Sequence, residues 1–126
     1  MSDHVFICYA REDEEFVLPL AKILKDRGVP IWIDQWDIPV AANWNRSIDN
    51  AIRDCAKFVL VLSKHAVEST EVEGEWLMAF DEKKPIIPVL RTSCQVPRQL
   101  RAIQRVDFSS KAADDEAALR QLVHTL

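Results

Sequence analysis

The segment Lys57-Phe58-Val59-Leu60-Val61-Leu62 constrains this chain most. After the lysine its residues are all apolar, without the alternation of a half-exposed strand. Such a run fits a strand buried on both faces, and strands of that kind belong to parallel sheets covered by helices on either side. The rest of the chain supplies the partners. His4 to Tyr9, Val29 to Ile33, Pro85 to Leu90 and the weaker Gln104 to Phe108 read as strands. Pro30 stands at a strand start, where a missing N–H is tolerated.

Helical stretches separate them. Glu12 to Arg27 places Phe16, Leu20, Ile23 and Leu24 on one face, with Val17 and Ala21 beside them, and Gly28 suits the C-terminal cap. Pro19 inside this stretch predicts a kink or a later helix start. Gln35 to Ala42 reads as a loop broken by Pro39. Asn43 is a cap candidate for a helix bearing Trp44, Ile48, Ala51, Ile52 and Cys55. Ser69 or Thr70 opens a helix to Glu82, with Val72, Trp76, Ala79 and Phe80 inward, and Thr70 with Glu73 has capping-box spacing. Arg91 to Leu100 is irregular. Asp114 to Leu126 is a last helix with Ala118, Leu119, Leu122, Val123 and Leu126 facing in. Strands alternating with helices give an α/β layout around a parallel sheet.

Length and charge bound the function classes. The 126 residues form one domain, 1–126, and we expect it to be the N-terminal domain of a longer protein. A net charge of −4 argues against a nucleic-acid partner. No apolar run approaches the roughly 20 residues a membrane helix needs. The N-terminus lacks a signal-peptide layout, so a cytoplasmic location is expected. Cys8, Cys55 and Cys94 are sparse and odd in number, which speaks against a disulfide framework and a zinc site. His4, His65 and His124 stand near no cysteine, so no metal is expected. Cys8 reads as a small core residue.

Several chemistries fail on residues. The only glycines are Gly28 and Gly74, so neither GxxxxGK[ST] nor GxGxxG is present. No GxSxG elbow surrounds Ser63, which reads as structural at a strand end. A phosphoacceptor receiver needs acids after its first strand and an Asp after its third; here stand Cys8-Tyr9-Ala10-Arg11 and Ser63-Lys64. What remains is polar residues at the carboxyl ends of strands, where open α/β sheets bind ligands. These are Tyr9 to Arg11, the Asp34 to Trp44 loop, Ser63 and the helix start carrying Glu71, Glu73 and Glu75. Glu71 and Glu75 share a face while Glu73 turns away. By themselves these acids also fit a solvated helix start favoured by the dipole.

VFICYAREDEEF (5–16), IWIDQWDIPVAANW (31–44), FVLVLSKHAVEST (58–70), EVEGEWLMAF (71–80) and KKPIIPVL (83–90) follow in the order and spacing of a bacterial Toll/interleukin-1 receptor (TIR) domain, which the chain resembles from His4 to Phe108. The resemblance implies a flavodoxin-like three-layer fold, strand order 2-1-3-4-5, with helices on both faces. It implies one of two roles. The first is an NAD+ glycohydrolase that releases nicotinamide and leaves ADP-ribose or a cyclic product, a signalling or killing module in bacterial immunity, with NAD+ as substrate and no cofactor. The second is a non-enzymatic adaptor binding other TIR domains, alike or unlike.

Carried residue by residue, the resemblance makes Glu75 catalytic. It places Tyr9, Ala10, Arg11, Trp36 and Ser63 at the substrate. Arg11 is either a phosphate contact or a solvated arginine, and Tyr9 either cleft wall or core. Trp36 stacks on substrate or on a neighbouring protomer. Trp36, Asp37, Ile38, Pro39, Val40 and Ala41 form the interaction loop, with Trp44 packed beneath it. The chain departs from the family twice. Its interaction loop has no glycine, which implies a stiffer loop. Glu71 stands where NAD-cleaving members carry a tryptophan four residues before the catalytic glutamate, which implies altered stacking on substrate.

Overall fold

The computed structural model describes residues 3–109 and 115–126. Five parallel strands form one sheet, β1 (Val5–Cys8), β2 (Ile31–Trp32), β3 (Lys57–Leu62), β4 (Ile86–Leu90) and β5 (Val106–Asp107), in the order β2-β1-β3-β4-β5. The helices are α1 (Glu14–Asp26), α2 (Asp34–Asp37), α3 (Trp44–Asp54), α4 (Lys64–Glu68), α5 (Thr70–Asp81) and α6 (Asp115–Thr125). Short 3-10 turns span Arg11–Asp13 and Arg98–Leu100. The flavodoxin-like order follows. Among the described residues no helix is long and apolar enough to cross a membrane.

The central strand β3 explains the layering. Its alternate residues face opposite sides of the sheet. Val59 and Val61 join Val5 and Ile7 in a core closed by Val17, Ala21 and Leu24 of α1 and by Ala118 and Leu122 of α6. Phe58, Leu60 and Leu62 join Phe6 and Cys8 in a second core closed by Ile48 and Ile52 of α3 and by Val72, Trp76 and Ala79 of α5. Each Val, Leu, Ile or Phe side chain among them fully withdrawn from water contributes about 1.5–3 kcal/mol. Within the second core the Phe6 ring lies parallel to its register partners, 5.0 Å from Trp32 and 5.1 Å from Phe58.

Pro88 sits inside β4 opposite Leu60. In a parallel strand each residue directs both backbone groups to one neighbour. The carbonyl of Leu90 accepts from Phe108 N on the β5 side, so Pro88, two residues earlier, also faces that side. There β5 is only two residues long and pairs with Val89 and Leu90, so the missing N–H breaks no ladder bond.

Several local expectations change. The helix expected from Glu12 starts at Glu14, after the 3-10 turn, with Pro19 still inside it. Its end is a Schellman motif: Gly28 at φ +88° donates to Lys25 O, and Val29 donates to Leu24 O. The cap of α5 is Ser69, whose Oγ accepts from Val72 N at 3.2 Å. Thr70 lies within the helix, so its capping box with Glu73 does not form. Phe80 is 46% exposed rather than inward, because it lies a further step around the helix from Ala79, at the edge of the buried stripe. The segment expected as loop from Gln35 begins as the helical turn α2, held by Ile33 N donating to Asp37 Oδ2 at 2.8 Å. Helix α4, capped by Ser63, was not expected. Asp114, the expected start of the last helix, lies outside the described residues. Lys57 Nζ donates to the carbonyls of Thr125 and Leu126, placing a cation at the C-terminal end of α6.

Candidate functional site

Strand order reverses between β1 and β3, and a cavity of about 140 Å³ opens nearby at the carboxyl end of β1. Tyr9, Ala10, Arg11 and Glu12 line it from the end of β1, Asp34 and Gln35 from α2, Trp44 and Ile48 from α3, and Ser69, Glu71, Val72 and Glu75 around α5. Glu75 reaches it because Val72, Trp76 and Ala79 face the sheet, which puts Glu71 and Glu75 on one flank of α5. The same two acids continue into an adjoining groove between α3 and α5, lined also by Trp44, Asn45, Ile48, Asp49, Thr70 and Gly74.

Glu75 is the most perturbed carboxyl of the cleft. Burial pushes it from the ordinary 4.5 up to about 7. A hydrogen bond with the Cys8 thiol pulls the other way, and the charges of Asp34, Glu71 and Asp49 add to the rise. Cys8 is buried beneath, with its thiol raised well above its usual value mainly by burial and then by the charge of Glu75. Its Sγ lies 3.9 Å from the Val72 carbonyl. A carboxyl that ionises near neutrality in a cleft can meet a developing positive charge, or hold a proton, under ordinary conditions.

Tyr9 is fixed by chemistry absent from the sequence reading. Its hydroxyl donates to Asp34 Oδ1 at 2.8 Å, and the same oxygen accepts from Gln35 N at 2.8 Å. Burial, followed by that hydrogen bond, raises the phenol. The pair ties the end of β1 to the start of α2. Asp34, expected at the crevice only as the first residue of its loop, thereby gains a role of its own as the partner of Tyr9.

Of the residues expected at substrate, Tyr9, Ala10, Arg11 and Glu75 come together in the cleft. Arg11 is the sole cation among its described lining residues. Ser63 and Trp36 do not line it. Ser63 is fully buried; its hydroxyl donates to the buried carboxylate of Asp13 and accepts from Ala66 N at 3.0 Å, capping α4. Trp36 is 43% exposed on α2, with Lys25 Nζ 5.7 Å from its ring centroid. Trp44, expected beneath the loop, is instead 45% exposed and lines both cleft and groove. As first residue of α3 it precedes the buried stripe of Ile48, Ala51 and Ile52.

The interaction loop divides. The half-buried Ile38 packs against the second core, while the exposed Asp37 accepts a hydrogen bond from Ile33 N. Pro39 to Ala42 form a turn closed by Ala42 N donating to Pro39 O at 3.1 Å. Ala41 takes φ +70° there, a position that favours glycine. Val40 at the tip is 99% exposed. Among the described residues no group of three His, Cys, Asp or Glu could hold a metal ion.

The sequence profile of the TIR domain matches residues 5–123. The chain belongs to the TIR domain family. It is 37% identical over 90 residues to the NAD(+) hydrolase TcpA of Theionarchaea archaeon, an alignment covering 68% of this chain and 27% of that protein. It is 31% identical over 90 residues to the 2' cyclic ADP-D-ribose synthase AbTIR of Acinetobacter baumannii, covering 68% and 34%. The chain thus spans about a quarter to a third of those relatives' length. In fold it is similar to the TIR domain of the Toll-related receptor TRR-2 of Hydra magnipapillata, with TM-score 0.87, 24% identity and 98% of each chain covered.

Proposed function

We propose that this TIR domain cleaves the bond between nicotinamide and ribose in NAD+, with Glu75 as the catalytic carboxylate. The observation that carries the reading is Glu75 itself, a largely buried carboxyl in the cleft of a family whose relatives at 31–37% identity bear the names NAD(+) hydrolase and cyclic ADP-ribose synthase. The chemistry needs few groups. The C1'–N bond breaks with its electron pair going to the pyridinium nitrogen, so nicotinamide leaves neutral and needs no general acid. The ribose is left as an oxocarbenium cation, which the ionised Glu75 stabilises. Water then adds at C1' and loses a proton, giving ADP-ribose. A hydroxyl of the same ADP-ribose adding instead gives a cyclic product. Arg11 is the cation of the cleft that suits the diphosphate. Tyr9 and Ala10 form the wall beside them.

Assembly with other TIR domains belongs to the same proposal, through the loop from Trp36 to Ala41. The exposed Val40 at its tip supports a docking role. That observation also favours a second reading, an adaptor without catalysis.

Nicotinamide release from NAD+ by the purified domain, followed chromatographically at low and high micromolar protein, tests both. Release lowered at least about 100-fold in Glu75→Ala, with the fold intact by circular dichroism, is the expected result. Wild-type turnover in that variant overturns the assignment. No release at any concentration, together with self-association lost in Val40→Asp, favours the adaptor.

A further inference from the structure

The carboxyl of Glu75 stands among groups that oppose its charge. Burial opposes it most, and Asp34 from α2, Glu71 from α5 and Asp49 from α3 add like charges. Tyr9, Arg11 and Glu12 share the cleft, with the Tyr9 hydroxyl committed to Asp34. The group that favours the anion is the thiol of Cys8, which hydrogen-bonds to Glu75 from below.

The fold places that thiol closely. Strand alternation turns Phe6 and Cys8 toward α3 and α5. Cys8 stands opposite Leu60 in the register of β1 with β3, so its sulfur hangs from backbone fixed by the sheet. Sγ lies 3.9 Å from the carbonyl of Val72, three residues before Glu75 on α5. A thiol has one hydrogen to donate, and here it has two acceptors. A charged acceptor makes the stronger bond, so the hydrogen turns to Glu75 when that carboxyl ionises and to Val72 when it is protonated. The thiol keeps its proton meanwhile, because burial and then the charge of Glu75 push its own ionisation up. A thiol is also a polar group that packs in a core like a small hydrophobe.

We propose that Cys8 is a positioning residue for Glu75: its thiol, swinging its one hydrogen from the Val72 carbonyl to the carboxylate, holds that side chain as an anion facing the cleft. Cys8 is 1% exposed and does not line the cavity, so it acts through Glu75 and touches no substrate. The role rests on the NAD+ reading above, in which this anion meets the cation left on ribose.

The test separates the donor from the bulk. The side-chain carboxyl carbon of Glu75 is followed by NMR across a pH titration of the 13C-labelled domain, and assigned with Glu75→Gln. The wild-type midpoint is expected at about 7. Cys8→Ala should move it upward by about 0.5–1 pH unit. Cys8→Ser loses the same sulfur but keeps a donor, and should bring the midpoint back to the wild-type value or below. Equal midpoints in the two variants, or no upward shift in Cys8→Ala, overturn the proposal. Should Cys8→Ala fail to fold, the Raman S–H stretch of the unaltered Cys8, assigned by difference from Cys8→Ser, decides: it softens as Glu75 ionises, and a band constant with pH overturns the proposal. Nicotinamide release from NAD+ is measured on the same variants. In Cys8→Ala the rise of kcat/KM with pH should move with the midpoint, a loss of about two- to fivefold at pH 7 that vanishes in alkali. Cleavage with an unmoved profile leaves the reaction standing and removes the role of Cys8. A midpoint that follows the variants, without cleavage by any of them, keeps the pair and removes the reaction.

Discussion

Glu75→Gln should stabilise this domain, and by an amount that depends on pH. The carboxyl ionises at 4.5 in the unfolded chain and at about 7 in the folded one, chiefly because burial disfavours its charge. Below about pH 4.5 it is protonated in both states and contributes no difference. Between 4.5 and 7 the unfolded state has lost the proton that the folded state still holds, so folding stability falls as pH rises. Above 7 the cost is constant at about 3 kcal/mol. Glutamine keeps the shape and has nothing to ionise. The variant's advantage should therefore be near zero at pH 4.5, grow across the window and level off above pH 7. A stability gain of this size corresponds to roughly 10 °C in Tm for a domain of this length. Thermal melts of both proteins at pH 4.5, 6 and 8.5 read it directly. A Tm difference that stays the same at all three pH values would refute the reasoning, since it would mean that Glu75 ionises alike in both states. An advantage that grows with pH as expected makes the proposed catalyst a group held in place at the expense of stability.

The rate should follow the same group: kcat/KM for nicotinamide release is expected to rise with pH through about 7, as Glu75 ionises, and a flat profile between pH 5.5 and 8.5 would exclude it as the charged partner of the transition state. Ser63→Ala removes the cap of α4 and the side-chain partner of buried Asp13, at a cost of about 2–3 kcal/mol in urea unfolding; a loss below 0.5 kcal/mol, on the order of an exposed-site change, would contradict the buried pair. Ala41→Gly relieves the positive φ of the turn and should stabilise by about 0.5–1 kcal/mol, a rise of a few degrees in Tm; destabilisation would mean that Ala41 does not hold that conformation.

Much of the fold was legible because it rests on local periodicity. The unbroken run of β3 announced a strand buried on both faces, and the flanking amphipathic segments announced its covers. Gly28 marked the end of α1, and Asn43 the start of α3, where its Oδ1 accepts from Arg46 N at 2.9 Å. Errors fell at element edges. Thr70 looked as good a cap as Ser69, because both carry the hydroxyl and only the path of the chain selects between them. Phe80 and Trp44 carried the hydrophobicity of core residues, but each lies outside the buried stripe of its helix, and hydropathy alone does not reveal how wide or how long that stripe is.

The site divides along the same line. Residue types and spacing set out in advance that Tyr9 to Arg11 end a strand and that Glu71 and Glu75 share a helix face, since both follow from geometry within one element. That Glu75 lies beside Cys8, Asp34 and Asp49 is decided by packing between elements far apart in sequence, and so is its raised pKa, which is a property of burial and neighbours and not of a glutamate. Ser63 shows the converse. The residues alone made it structural at a strand end and the resemblance put it at the substrate; the arrival of Asp13, from the segment after the neighbouring strand β1, decides for the buried role. Along the chain, local chemistry determined which segments become strands and helices and which side chains they present; contacts across the sheet decided which of those side chains meet, and in what state of charge.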